Sequence, residues 1–171
     1  MAMGEGEGMT CAGDLVRQAT VADAEAVACV LRRSITECCL EDHGNDPTKL
    51  AEWLANKTTE NVRDWIESDW NYSLVAEFGG KIVGIAMLLS SGTLALCYLL
   101  PEVRFRGVGK ALLIAIEGEA SRRGFERIEL ESTQTAHAFY VRNGYVDCGA
   151  ANVRFGSEGF AMTKSLDNPA E

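Results

Sequence analysis

Residues 97–110 read Cys-Tyr-Leu-Leu-Pro-Glu-Val-Arg-Phe-Arg-Gly-Val-Gly-Lys. The apolar stretch reads as a strand that ends at Pro101, which has no backbone donor. A turn with Arg104, Arg106, Gly107 and Gly109 follows, and Lys110 to Ile116 continues as a helix. The first N–H groups of a helix lack internal partners and lie at the positive end of its dipole. Glycines there let a ligand approach the backbone closely, so the segment is suited to holding phosphate oxygens through main-chain donors. Two common phosphate loops do not fit. The Walker A pattern needs glycine where Arg104 stands and Ser or Thr where Ala111 stands. The dinucleotide pattern needs a third glycine where Leu112 stands. What fits is Arg-x-x-Gly-x-Gly after an apolar strand.

A second constellation follows one helix and one strand later. Ile128-Glu-Leu-Glu-Ser-Thr133 is strand-like, and Gln134-Thr-Ala-His-Ala-Phe-Tyr-Val-Arg-Asn-Gly-Tyr145 follows it. With the first segment, this resembles the GNAT N-acetyltransferase superfamily, at Ala136, Phe139, Tyr140, Gly144 and Tyr145. It departs at Thr133, where that pattern has Asn. The resemblance spans residues 15–165, with its strong motifs between Cys97 and Tyr145. It implies an α/β fold with a mixed sheet of about seven strands and helices on both faces.

It also implies acetyl transfer from acetyl-CoA to an amine, by direct attack in a ternary complex. The main chain of Cys97, Tyr98 and Leu99 would pair with the pantetheine arm. Arg104, Phe105, Arg106, Gly107, Val108, Gly109 and Lys110 would hold the pyrophosphate, and Thr133 and Phe139 complete the cofactor-binding set. Tyr140 is the expected catalytic acid, because a phenol with a reference pKa of about 10 keeps its proton at pH 7 and can donate it to a departing thiolate. His137 reads as a surface or cofactor-contacting residue rather than a base. An alkylamine is mostly protonated at pH 7 and must lose a proton before attack. Glu129 and Glu131 share one strand face and could take that proton through water, or simply face solvent. Two other readings stay open: a CoA-binding sensor without turnover, and acyl transfer to a non-amine acceptor. No metal is required by this chemistry.

The elements that would position these residues follow from patterning. The chain has 171 residues, enough for one domain with a sizeable core, expected over 13–166 between a disordered Gly/Glu-rich head (1–12) and a polar tail (167–171). The net charge of −9 argues against a nucleic-acid partner and suits a cationic acceptor, a small-molecule or protein amine. No apolar run reaches transmembrane length, and a homodimer stays an option. Six cysteines without a Cys-x-x-Cys pair point to thiols in a reducing cytoplasm. Cys38, Cys39 and His43 lack the ligand number and spacing of a zinc site.

A strand over 15–19 precedes a capping box at Thr20 and Asp23. Val27, Val30, Leu31, Ser34, Ile35 and Cys38 then recur at helical spacing. Pro47 opens a short helix to Leu54, and Thr59 reads as the cap of another to Glu67. This excursion holds Trp53, Trp65, Trp70, Glu41, Asp42, His43 and Asp46. They read either as an acceptor wall, with carboxylates for a cation, or as packing that pins two helices to the sheet. Strands over 72–78, 81–90 and 93–100 lead into the glycine turn. The next helix, over 109–123, turns Leu112, Leu113, Ile116 and Ala120 inward and stops at Gly124. Strands over 127–131, 145–149 and 159–166 complete the order.

Overall fold

The computed structural model describes residues 15–153 and 157–167. The head expected over 1–12 and the end of the tail lie outside them. Strand β1 (Val16–Gln18) leads through the Thr20–Asp23 box into helix α1 (Ala24–Cys38). In the box the Thr20 N–H donates to the Asp23 carboxylate at 2.7 Å. Three short helices follow: α2 (Leu40–His43), α3 (Pro47–Leu54) and α4 (Thr59–Glu67). Strands β2 (Asn71–Phe78), β3 (Lys81–Leu89) and β4 (Leu94–Leu99) then run to the turn before α5 (Val108–Arg122). The chain closes with β5 (Arg127–Ser132), α6 (His137–Arg142), β6 (Val146–Val153) and β7 (Ser157–Ser165).

The seven strands form two antiparallel sheets, of order β1-β2-β3-β4 and β5-β7-β6. Between them β4 and β5 run parallel and touch at one bridge, Thr93 with Glu129. Beyond that bridge β4 pairs only with β3, with Gly84 opposite Leu99 and Ala86 opposite Cys97. The other edge of β4 therefore faces a gap. Its main-chain groups there have no strand neighbour among the described residues.

The core sits around β3, where Val83 to Leu88 are all buried, so helices cover both faces of this strand. Leu31 and Ile35 of α1, and Leu112, Leu113, Ile116 and Ala120 of α5, are each at most 1 % exposed. Burying one such Leu or Ile side chain contributes about 1.5–3 kcal/mol.

Most boundaries shift by a residue or two from the sequence reading, β6 runs on to Val153 and α2 is an added helix; two of the differences have a clear local cause. Thr58, not Thr59, caps α4: its backbone is extended and its side chain accepts from the Asn61 N–H at 3.2 Å. A cap residue must stand outside the helix to reach the N–H of the third helical residue, and Thr59 is already helical. Tyr145 is not in a strand. Its N–H donates to the Tyr140 carbonyl and its ring is buried, so it closes α6, and β6 begins one residue later.

Candidate active site

A cavity of about 570 Å³ opens where β4 and β5 part. Cys97, Tyr98 and Leu99 of β4 form one wall. Arg104, Phe105, Gly107, Gly109 and Lys110 form the end at the start of α5. Glu131, Thr133, Phe139 and Tyr140 form the opposite wall. Ser34, Cys38 and Cys39, from the end of α1 and just after it, close the remaining side.

The turn at the start of α5 is built by backbone conformation. Gly107 is the N-cap of α5 and adopts φ +82°, a left-handed conformation that disfavours other residues. Phe105 also has a positive φ, 62°, and its ring is 86 % exposed with the Arg104 guanidinium 5.0 Å from its centre. Gly109 serves a different need. A Cβ there would stand 3.3 Å from Leu99 and from Phe139, so glycine lets the helix start press against both walls. Of the expected phosphate-loop residues, two do not present side chains to the cavity. Arg106 is exposed and not among the lining residues, and Val108 is a core residue at 4 % exposure, which leaves only its main chain at the helix start.

Tyr140 sits at 6 % exposure on α6, ring to ring with Phe139 at 5.2 Å and Tyr145 at 5.5 Å. Its hydroxyl neighbours the Cys97 thiol, and both residues line the cavity. Burial, first of all, and then the neighbouring Cys97, Tyr98 and Tyr145 push the phenol well above its ordinary value, so it is neutral at any physiological pH. Burial likewise pushes the thiols of Cys97 and Cys39 up to about 12. Neither is a thiolate near pH 7, so neither is poised as a nucleophile. The Tyr98 phenol is raised by burial too, and Tyr98 packs against the small core that holds Trp53.

The two strand glutamates separate. Glu131 lines the cavity, whereas Glu129 pairs with Arg127 at 3.2 Å. Glu131 is the one carboxylate among the described residues that line this cavity. His137 stands outside it, with Nε2 2.8 Å from Asp147 and its ring stacked on Phe160 at 4.0 Å.

Several side chains of the excursion pack or cap. Trp53 is buried with Ile35 and Cys39, Trp65 packs against the main core, and Trp70 is 73 % exposed. None of the three lines the cavity. Asp46 caps α3 by accepting from the Thr48 and Lys49 N–H groups. His43 Nδ1 accepts from the Asn45 N–H at 3.1 Å, so Nε2 carries the proton and donates to the Ile35 carbonyl at 3.0 Å. Both its nitrogens are thereby committed. Asp42 reaches the turn before α6 and accepts from Gln134 and Thr135.

The sequence reading named Asp42 in the excursion but not its contact with this turn, and it did not place Cys38, Cys39 and Ser34 as lining residues. The one signal was the spacing of Ser34 and Cys38, four apart on the inner face of α1.

A sheet split between parallel neighbours, a glycine turn opening a helix at the split, and a tyrosine helix opposite define an acetyltransferase fold of the GNAT class. The chain belongs to this family: the model described as an acetyltransferase (GNAT) domain matches residues 39–166. Solved structures agree on the fold. A GCN5-related N-acetyltransferase from Rhodopseudomonas palustris superposes with a TM-score of 0.80 at 24 % identity, covering 88 % of this chain and 94 % of the other. The PaiA N-acetyltransferase of Thermoplasma acidophilum, solved in complex with coenzyme A, has a TM-score of 0.75 at 20 % identity over 88 % and 97 % of the chains. YncA of Salmonella typhimurium, a putative acetyltransferase solved with acetyl-CoA, has 0.69 at 22 % over 91 % and 95 %. No curated protein sequence matches the chain significantly. Among the described residues no helix is long and apolar enough to cross a membrane.

Proposed function

We propose that this protein transfers acetyl from acetyl-CoA to an amine by direct attack in a ternary complex. The observation that carries the reading is the neutral, buried hydroxyl of Tyr140, held across a cavity from the unpaired edge of β4. The pantetheine would add to that edge as a strand does, through the main chain of Cys97, Tyr98 and Leu99. The pyrophosphate would take the free N–H groups from Gly107 to Lys110, with Arg104 and Lys110 adding charge. Thr133 and Phe139 would flank the arm from the opposite wall.

The amine lone pair then attacks the thioester carbonyl, and the carbon–sulfur bond breaks. Negative charge develops on sulfur, and the Tyr140 O–H donates to it. Because the phenol is a weaker acid in this site than in water, its larger contribution is the hydrogen bond at the transition state rather than full ionisation beforehand. The protons leaving the nitrogen, one from the ammonium before attack and one after it, go to water held by Glu131, which lines the same cavity. The raised thiols of Cys97 and Cys39 disfavour a covalent acetyl-cysteine route.

The test is thiol release from acetyl-CoA against four amines: spermidine, kanamycin, methionine and a peptide with an unblocked N-terminus. Release that rises with one of them and yields the acetylated amine is expected. Calorimetric CoA binding with no release against any nucleophile, hydroxylamine included, would favour a sensor without turnover.

A further inference from the structure

We propose that Asp42 is a positioning residue for Tyr140, acting through the turn that opens α6; this rests on the acid role of Tyr140 above. The Asp42 carboxylate is 5 % exposed. It accepts from the Gln134 N–H at 2.7 Å, the Thr135 N–H at 3.4 Å and the Thr135 hydroxyl at 2.7 Å. These bonds join α2 to a turn 92 residues further along the chain.

The turn needs an outside partner. Helix α6 has six residues, too few to hold itself together by its own hydrogen bonds. Its N-cap is Ala136, whose methyl group cannot accept a hydrogen bond. Thr133 supplies one acceptor, taking the Ala136 N–H at 3.1 Å. The two preceding N–H groups go to Asp42. A carboxylate from another part of the chain thus does the work that a local cap does elsewhere. It is charged, so its bonds are stronger than those of a neutral cap. It is also buried, so water competes weakly for the same donors.

The consequence falls on the cavity. Thr133, Thr135 and Ala136 all line it, and Tyr140 follows one helical turn later. The hydroxyl of Tyr140 must stand where the thioester sulfur leaves, and a displacement near 1 Å can cost on the order of 10²-fold in rate. Asp42 belongs to the segment that also brings Cys38 and Cys39 to the cavity. It therefore sets the distance between the wall from the end of α1 and the wall that carries the acid.

The experiment is a double-mutant cycle read by two methods. Asp42→Asn keeps the size and one acceptor oxygen. Thr135→Val removes one bond and leaves both N–H groups. Single-turnover acetyl transfer to the fastest amine of the panel should slow by about 10- to 100-fold in Asp42→Asn, and less in Thr135→Val. On a Tyr140→Phe background the same changes should matter by no more than about twofold, because the group being positioned is gone. Equal slowing on both backgrounds, or a loss confined to the acceptor KM, would overturn the proposal. A Tyr140→Phe protein as fast as wild type would instead sink the acid reading itself. The second method needs no acceptor: 3-fluorotyrosine at position 140, followed by fluorine NMR with CoA bound. The resonance should shift or broaden in both variants, and an unchanged line in a folded variant would also overturn the proposal. Should Asp42→Asn fail to fold, Thr135→Val carries both readings.

Discussion

The turn over 97–110 and the excursion over 40–70 both looked like functional segments, and the fold uses them in opposite ways. The turn presents main chain to the cavity. Its glycines set conformation and approach, its unpaired strand edge faces the gap, and Arg104 and Lys110 add charge. The excursion spends its side chains internally. Asp46 caps α3, His43 bridges two main-chain groups, Trp53 fills a small core with Ile35 and Cys39, and Asp42 reaches the α6 turn. A run of aromatic and acidic residues is thus weak evidence of a binding wall, because the same types serve equally well as struts. Glycine and proline, which act through the backbone, carry their meaning locally.

The largest effect that would break this contrast concerns the wall opposite the turn. Tyr140→Phe keeps the ring contacts with Phe139 and Tyr145 and removes only the hydroxyl. Single-turnover transfer should fall on the order of 10²–10⁴-fold, with CoA affinity by calorimetry retained. Lost affinity would mean the hydroxyl holds the cofactor instead.

Next comes the excursion's packing. Trp53→Ala should destabilise the protein by about 3–5 kcal/mol, read as a lower midpoint in denaturant. Trp70→Ala, at 73 % exposure, should stay within about 0.5 kcal/mol. If Trp70→Ala abolished transfer in a fully stable protein, the excursion would serve as an acceptor wall as well.

The turn itself offers a sharper probe at Gly107 than at Gly109. Gly107→Asp forces a side chain into φ +82° and sets a negative charge at the helix start. CoA affinity should weaken by about tenfold or more, since bonds to charged groups are worth about 1.5–3 kcal/mol. At Gly109 the added Cβ meets Leu99 and Phe139, so Gly109→Ala should cost stability, about 1–3 kcal/mol, as much as affinity.

The smallest effect is expected at the strand glutamates. Glu131→Gln should lower kcat/KM by about tenfold near pH 7. The defect should shrink as pH rises toward the pKa of the amine, because the acceptor then loses its proton to solvent without help. Glu129→Gln should change little at any pH, since Glu129 pairs with Arg127. Equal losses in both variants would remove the distinction between them.

What the sequence by itself determined was the order of strands and of every helix but α2, the inward faces of α1 and α5, and the place of the glycine turn. Each of these is written in short-range terms: an alternation of two, a spacing of three or four, a proline or a glycine where a strand or helix must stop. The candidate acid at Tyr140 was also readable, because its motif is contiguous. Tertiary structure alone decided which carboxylate meets the cavity. Glu129 and Glu131 are equivalent by periodicity, and they part because the single β4–β5 bridge pins the strand at Glu129 and lets it diverge at Glu131. It decided, too, that Arg104 lines the cavity while Arg106, exposed, does not, and that Gly109 answers to Leu99 and Phe139. Asp42 is the extreme case. Its partners lie 92 residues away, so no local pattern could have distinguished a buried strut from a solvated charge. A hydrogen bond is decided by which groups folding brings within about 3 Å, and that depends on every element packed between them.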